Sequence, residues 1–78
     1  MKPLRFSKSA RRHRIGRGHA YYVIVTGSYA FETDPQTGNP AIIVVGRDTR
    51  GVELTIVLIE LEEMFLVIHV QPTYQRRK

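Results

Sequence analysis

The 78-residue chain has no cysteine, which excludes disulfides, thiolate metal sites and a cysteine nucleophile. It has no long apolar run. The longest, near Ile56–Ile59 and Phe65–Ile68, fall far short of the ~20 residues that span a bilayer. The opening Met-Lys-Pro-Leu-Arg-Phe-Ser-Lys is basic, with no apolar stretch behind it long enough for a signal peptide. These features fit a cytoplasmic protein without a membrane partner. Internal repeats and low-complexity tracts are lacking too, and the length suits one domain with a thin core.

Acid is missing from both ends. Lys2, Arg5, Lys8, Arg11, Arg12, Arg14 and Arg17 stand at the start without a carboxylate among them, and Arg76, Arg77 and Lys78 close the chain. Every acid, from Glu32 to Glu63, lies between, with Arg47 and Arg50. Soluble surfaces normally mix the two signs. Segregation at a net charge of +5 builds a basic patch and points to a polyanion. RNA is the leading candidate; an acidic protein partner would suit the charge equally well.

Residues 1–27 are basic and mixed, 28–40 read as a loop, 41–73 as a sheet, and 74–78 as a basic tail. In the loop, Asp34-Pro35, Gly38 and Asn39-Pro40 are turn signals. In the sheet, Ala41–Gly46 is a short β-branched run, and Arg47–Gly51 a tight connection with Gly51 placed for positive φ. Val52, Leu54, Ile56 and Leu58 then alternate with Glu53, Thr55, Val57 and Ile59. Phe65–Val70 reads as a third strand, stopped by Pro72. Connections this short predict an antiparallel meander. On the last strand, alternation puts His69 with Phe65 and Val67 on the exposed face, and Leu66, Ile68 and Val70 against the rest of the fold. Val57 and Ile59 form an outward β-branched face that calls for another chain, a partner protein or a second copy.

The first region has two readings. Ser7 suits the N-cap of a short helix through Arg14, broken by Gly16 and Gly18. Ala20–Thr26 has the composition of a strand, but a helix from Arg17 would put Tyr21, Ile24 and Val25 on one face.

Three segments carry a resemblance. Phe6-Ser7-Lys8-Ser9-Ala10-Arg11-Arg12-His13-Arg14-Ile15-Gly16-Arg17 is similar to the opening of BrnT-like proteins of the RelE/ParE toxin superfamily, especially short actinobacterial ones. Val45–Leu54 is similar to their central hairpin, and Leu66–Thr73 to their last strand. Together these cover about two-fifths of the chain, in the family's order. The resemblance implies an α+β, RelE-like fold: two short N-terminal helices, the second over Arg17–Thr26, packed on an antiparallel three- to four-stranded meander sheet. It also implies the toxin of a bacterial toxin–antitoxin pair, a metal-independent ribonuclease or another inhibitor of translation, neutralised by a separate acidic antitoxin. Ser9 stands where the family has a histidine, and the paired Tyr21 and Tyr22 depart from its Ala/Leu-rich second helix.

Cleaving RNA without a metal or other cofactor takes a base for the 2′-hydroxyl, cations for the phosphate and an acid for the leaving oxygen. His69 is the candidate acid or base; as a strand-end histidine it would only bond a neighbouring backbone. Arg14 and Arg50 would grip phosphate and Tyr74 would assist. Arg11, Arg12, Arg14 and Arg17, with His19, Arg76 and Arg77, are the candidate nucleic-acid contacts, because guanidinium pairs with phosphate through two N–H groups. The alternative for the arginine run is a solvated basic face. Asp48 reads as a turn residue. His13 and His19 match no metal-ligand spacing. A basic module that binds RNA, the ribosome or an acidic partner without chemistry explains the charge layout equally well, and Ser9 in place of the family histidine leaves open a toxin relative that has lost activity.

Overall fold

The computed structural model describes residues 2–11 and 15–73. Its elements in chain order are β1 (Leu4–Phe6), a 3-10 turn (Ser9–Arg11), α1 (Arg17–Thr26), β2 (Ser28–Thr33), β3 (Pro40–Arg47), β4 (Glu53–Glu60) and β5 (Phe65–Pro72). The strands make one mixed sheet in the order β1-β5-β4-β3-β2. β2 to β5 are antiparallel neighbours, while β1 lies parallel to β5.

This corrects the expected architecture. Among the described residues one α-helix, not two, packs on a sheet that has five strands and is not purely antiparallel. Where the first helix was expected, the described residues hold only the 3-10 turn. Ser7 does cap it, its hydroxyl accepting the Ala10 N–H at 3.2 Å. Gly16 and Gly18 do not break a helix; they are the N-cap and an early position of α1. The loop expected over 28–40 shrinks to the turn between β2 and β3, held by Asp34, whose side chain accepts from the Thr37 N–H and hydroxyl.

Helix wins over strand propensity at α1 because of what Ala20, Val23 and Ile24 touch. Their i, i+3, i+4 spacing makes one stripe; Ala20 and Val23 are fully buried and Ile24 packs beside them. The opposing face comes from Val44, Leu54, Ile56, Leu58, Val67 and Val70. Leu54, Ile56 and Leu58 thus alternate inward on β4 as expected. Gly27 ends the helix, donating to the Val23 carbonyl at 2.7 Å.

Facing on β5 departs from simple alternation. Val57 pairs with His69 but Leu58 pairs with Val67, so Ile68 is an extra residue, a β-bulge. The bulge turns Val67 and Val70 both to the helix side, where both are buried. Phe65, paired with Glu60, shares that side and packs on the core. Leu66 lies opposite Ile59 on the other face. His69 does lie on the helix-free face, but without Phe65 and Val67. Ile59, expected to face outward, is only 6% exposed.

Candidate nucleic-acid interface

The tight connection between β3 and β4 is organised by Asp48. Its N–H donates to the Val52 carbonyl, and its own carbonyl accepts from Gly51. Gly51 takes φ +83°, the left-handed region that glycine enters without steric cost. The Asp48 carboxylate is withdrawn from water. Oδ1 accepts the N–H groups of Arg50 (2.8 Å) and Val52 (3.1 Å). Oδ2 accepts from the Arg50 guanidinium, through Nε at 3.0 Å and an Nη at 2.6 Å. Burial alone would raise the Asp48 pKa. The Arg50 side chain, the two backbone donors and the Arg50 charge outweigh it and hold the carboxyl below its ordinary range. Asp48 is thus a turn residue, as its position suggested, and it also organises the side chains around it.

α1 brings its first turn to this connection. His19 Nδ1 lies 3.8 Å from Asp48 Oδ2 and 3.5 Å from the Thr49 hydroxyl. The side chains of His19 and Arg50 remain part-open to solvent. Gly16 supplies no side-chain cap and the first turn holds no acid, so the positive end of the helix dipole is not neutralised locally. Arg17, exposed, lays its guanidinium over the Phe6 ring, 5.5 Å from the centroid. Beside it, Lys2, Arg5, Phe6, Arg17 and Tyr21 line an open concavity of about 930 Å³. Cations and aromatic rings interleaved in this way suit a flexible polyanion with stackable bases.

The expected site residues therefore divide. His19, Arg50 and Arg17 gather around the start of α1. His69 does not join them. Its partner Val57 alternates with the inward Ile56 and Leu58, so His69 is across the sheet from α1. Arg5 shares that face, opposite Leu66 on β5. Arg12, Arg14, Tyr74, Arg76 and Arg77 lie outside the described residues, as does the side chain of Arg11. Sequence reasoning missed the concavity that β1 shares with Arg17, for which the signal was the strand-like Leu4-Arg5-Phe6. It also missed the orienting position of Asp48, for which no local pattern exists, because His19 is distant in sequence. Among the described residues no three histidine, aspartate or glutamate side chains are grouped as a metal site would need, and no helix is long and apolar enough to cross a membrane.

Comparison with protein-family models, with curated proteins and with solved structures finds no match to this chain.

Proposed function

We propose that this chain is an RNA-binding protein whose contact surface runs from the β1 edge across the start of α1 to the β3–β4 turn. The carrying observation is the gathering of Arg17, His19 and Arg50 around the start of α1, where Asp48 is buried and paired; Lys2, itself paired with Glu60, lines the adjoining concavity with Arg17. A phosphate strand crossing this surface meets guanidinium groups, helix N–H groups and the exposed ring of Tyr21. The basic residues 12–14 and 76–78 extend the charge in sequence and belong to the same reading. The test is fluorescence anisotropy with a labelled single-stranded RNA at several salt concentrations. Affinity should fall steeply between about 50 and 200 mM salt, and Arg17→Gln should lower the log–log slope by about 0.7. Salt-independent binding, or an Arg17 variant with unchanged slope, refutes it.

A second reading has its own observation. Asp48 Oδ2 lies 3.8 Å from His19 Nδ1, and a carboxylate that closes to hydrogen-bond distance fixes an imidazole tautomer and leaves the other ring nitrogen to move protons. Arg50 stands on the same carboxylate, suited to a phosphate. On this reading the chain is a metal-independent ribonuclease, the toxin of a bacterial toxin–antitoxin pair, acting in the cytoplasm against translation and silenced by an acidic antitoxin. The acid–base residue is His19, rather than His69. Induction of the wild type, His19→Ala and His69→Ala in a bacterium distinguishes them. Growth arrest with cleaved RNA, lost only in the His19 variant, supports it. Arrest unaffected by His19→Ala removes the assignment, and no cleavage by a folded protein leaves the binding module.

A further inference from the structure

β2 is an edge strand with none of the usual protection. Such strands are normally short, bulged, or guarded by lysine or proline, because a row of free N–H and C=O groups recruits further strands. Ser28–Thr33 pairs with β3 over six residues without a bulge. It holds no lysine, arginine or proline, and each of its residues is exposed. The opposite edge, β1, carries the basic residues, so the two edges of the sheet differ in chemistry.

The ladder says which backbone groups are free. Asp34 N–H bonds the Asn39 carbonyl, and Pro40, opposite Thr33, has no N–H to give. Antiparallel pairs alternate between bonded and unbonded. The bonded pairs of β2 with β3 are therefore those of Ser28, Ala30 and Glu32. The N–H and C=O groups of Tyr29, Phe31 and Thr33 point away from the sheet.

Two of those three positions carry the strand's aromatic side chains. Tyr29 is 50% exposed and Phe31 74%. Both are on the helix side of the sheet, opposite Val44 and Ile42, with ring centroids 6.5 Å apart. Tyr29 is fixed by its hydroxyl, which donates to the Ile24 carbonyl at 2.5 Å. Its ring continues into an apolar groove of about 590 Å³ lined by Tyr21, Ile24, Val25 and Leu58.

We propose that β2 pairs antiparallel with β2 of a second copy of this chain, about a two-fold axis at Ala30, giving a continuous ten-stranded sheet. The strand is self-complementary in that register. Tyr29 faces the partner's Phe31 and Phe31 the partner's Tyr29, both as bonded pairs that use the free backbone groups. Aromatic cross-strand pairs of this kind are favourable. The single charge, Glu32, meets Ser28 and never its own copy. At about 200 Å² for a whole aromatic side chain, the two rings expose roughly 250 Å² per protomer. Doubled by symmetry and joined by the strand backbone and by Val25, which lines the groove beside Tyr29, that approaches the ~1,000 Å² of a specific interface. The dimer leaves both basic β1 edges outermost, with opposite ends free for polyanion.

The test rests on the chain's lack of cysteine. In this register residue 30 faces its own copy at an unbonded pair, where Cβ atoms stand about 4.5–5.5 Å apart, while residue 28 faces residue 32. Ala30→Cys should give a disulfide-linked dimer rapidly under mild oxidation, and Ser28→Cys should not. Wild-type protein should sediment at twice its 9.0 kDa at concentrations of about 10–100 µM. Phe31→Pro should be monomeric with an unchanged circular dichroism spectrum, because the N–H it removes is not used by β3. A wild type that remains monomeric throughout overturns the proposal, including one that pairs only with a different protein's strand. So does equal, slow cross-linking of the two cysteine variants. If Phe31→Pro fails to fold, the cysteine pair still decides.

Discussion

Replacing Gly27 by alanine should destabilise the protein more than any surface substitution. A Cβ there would lie 2.7 Å from the Val23 carbonyl oxygen, 2.8 Å from the Val45 carbonyl oxygen and 2.8 Å from a Val44 methyl. Ordinary carbon contacts begin near 3.5 Å, so the end of α1 would have to lift from β3 by about 0.7 Å. Two of the three obstacles are backbone and cannot rotate away. The lift would also pull on Val23, which is fully buried. Overpacking of this kind costs about 1–3 kcal/mol, and rigid neighbours place the expectation at the upper end. At about 4–8 °C per kcal/mol for a domain of this size, the midpoint should fall by roughly 10–20 °C. Gly18 is the control. A Cβ at that position meets no heavy atom within 4 Å, and alanine favours a helix over glycine by about 0.5–1 kcal/mol. Thermal and urea unfolding followed by circular dichroism should therefore show opposite signs for Gly27→Ala and Gly18→Ala. A Gly27 variant as stable as the wild type would refute the close approach of α1 to β3.

Stability should also depend on acid through Asp48. Its carboxyl sits below the ordinary value of 3.8 in the fold, so it contributes stability above that pH, lost as pH falls through the folded-state pKa. In urea titrations the wild type should lose its advantage over Asp48→Asn as pH drops from about 6 to 2; a constant difference would contradict the pairing with Arg50. Ile56→Ala, at a position with no exposure, should cost about 2–5 kcal/mol in urea unfolding, and a loss under about 1 kcal/mol would argue against a packed core. Gly51→Ala should cost about 1–2 kcal/mol by the same assay, since φ there is +83° and alanine resists the left-handed region. Lys2→Ala, by contrast, removes a part-exposed pair with Glu60 at 2.9 Å and should cost no more than about 1 kcal/mol.

The three consecutive strands β3, β4 and β5 were legible from turn chemistry and β-branched composition, and on β4 alternation also placed the side chains. Gly51 and the inward Leu54, Ile56 and Leu58 stand where the residues placed them. β2 was hidden by its neighbours. The turn signals at Asp34-Pro35, Gly38 and Asn39-Pro40 are strong, and a strand exposed at every residue shows no burial pattern to set against them. β1 is only three residues long and owes its existence to a pairing with the far end of the chain. The bulge at Ile68 has no signature in composition, yet it decides which side chains of β5 reach the core. α1 was undecidable locally, since Tyr21 to Val25 favour a strand until Ala20, Val23 and Ile24 find the sheet. The gathering of His19 and Arg50 around Asp48 was illegible for the same reason. It depends on where α1 docks.

The parallel pairing of β1 with β5 also sets an order of events during synthesis. β2 through β5 are joined by short turns, so their contacts are local and close at little entropic cost. β1 has to wait. Its segment pairs only with the last strand; the nearby bond from the Ser9 hydroxyl to the Ile68 carbonyl joins residues 59 positions apart. β1 is synthesised before β5 and has no other strand to pair with, so the cationic edge of the sheet is completed only after β5 has been made.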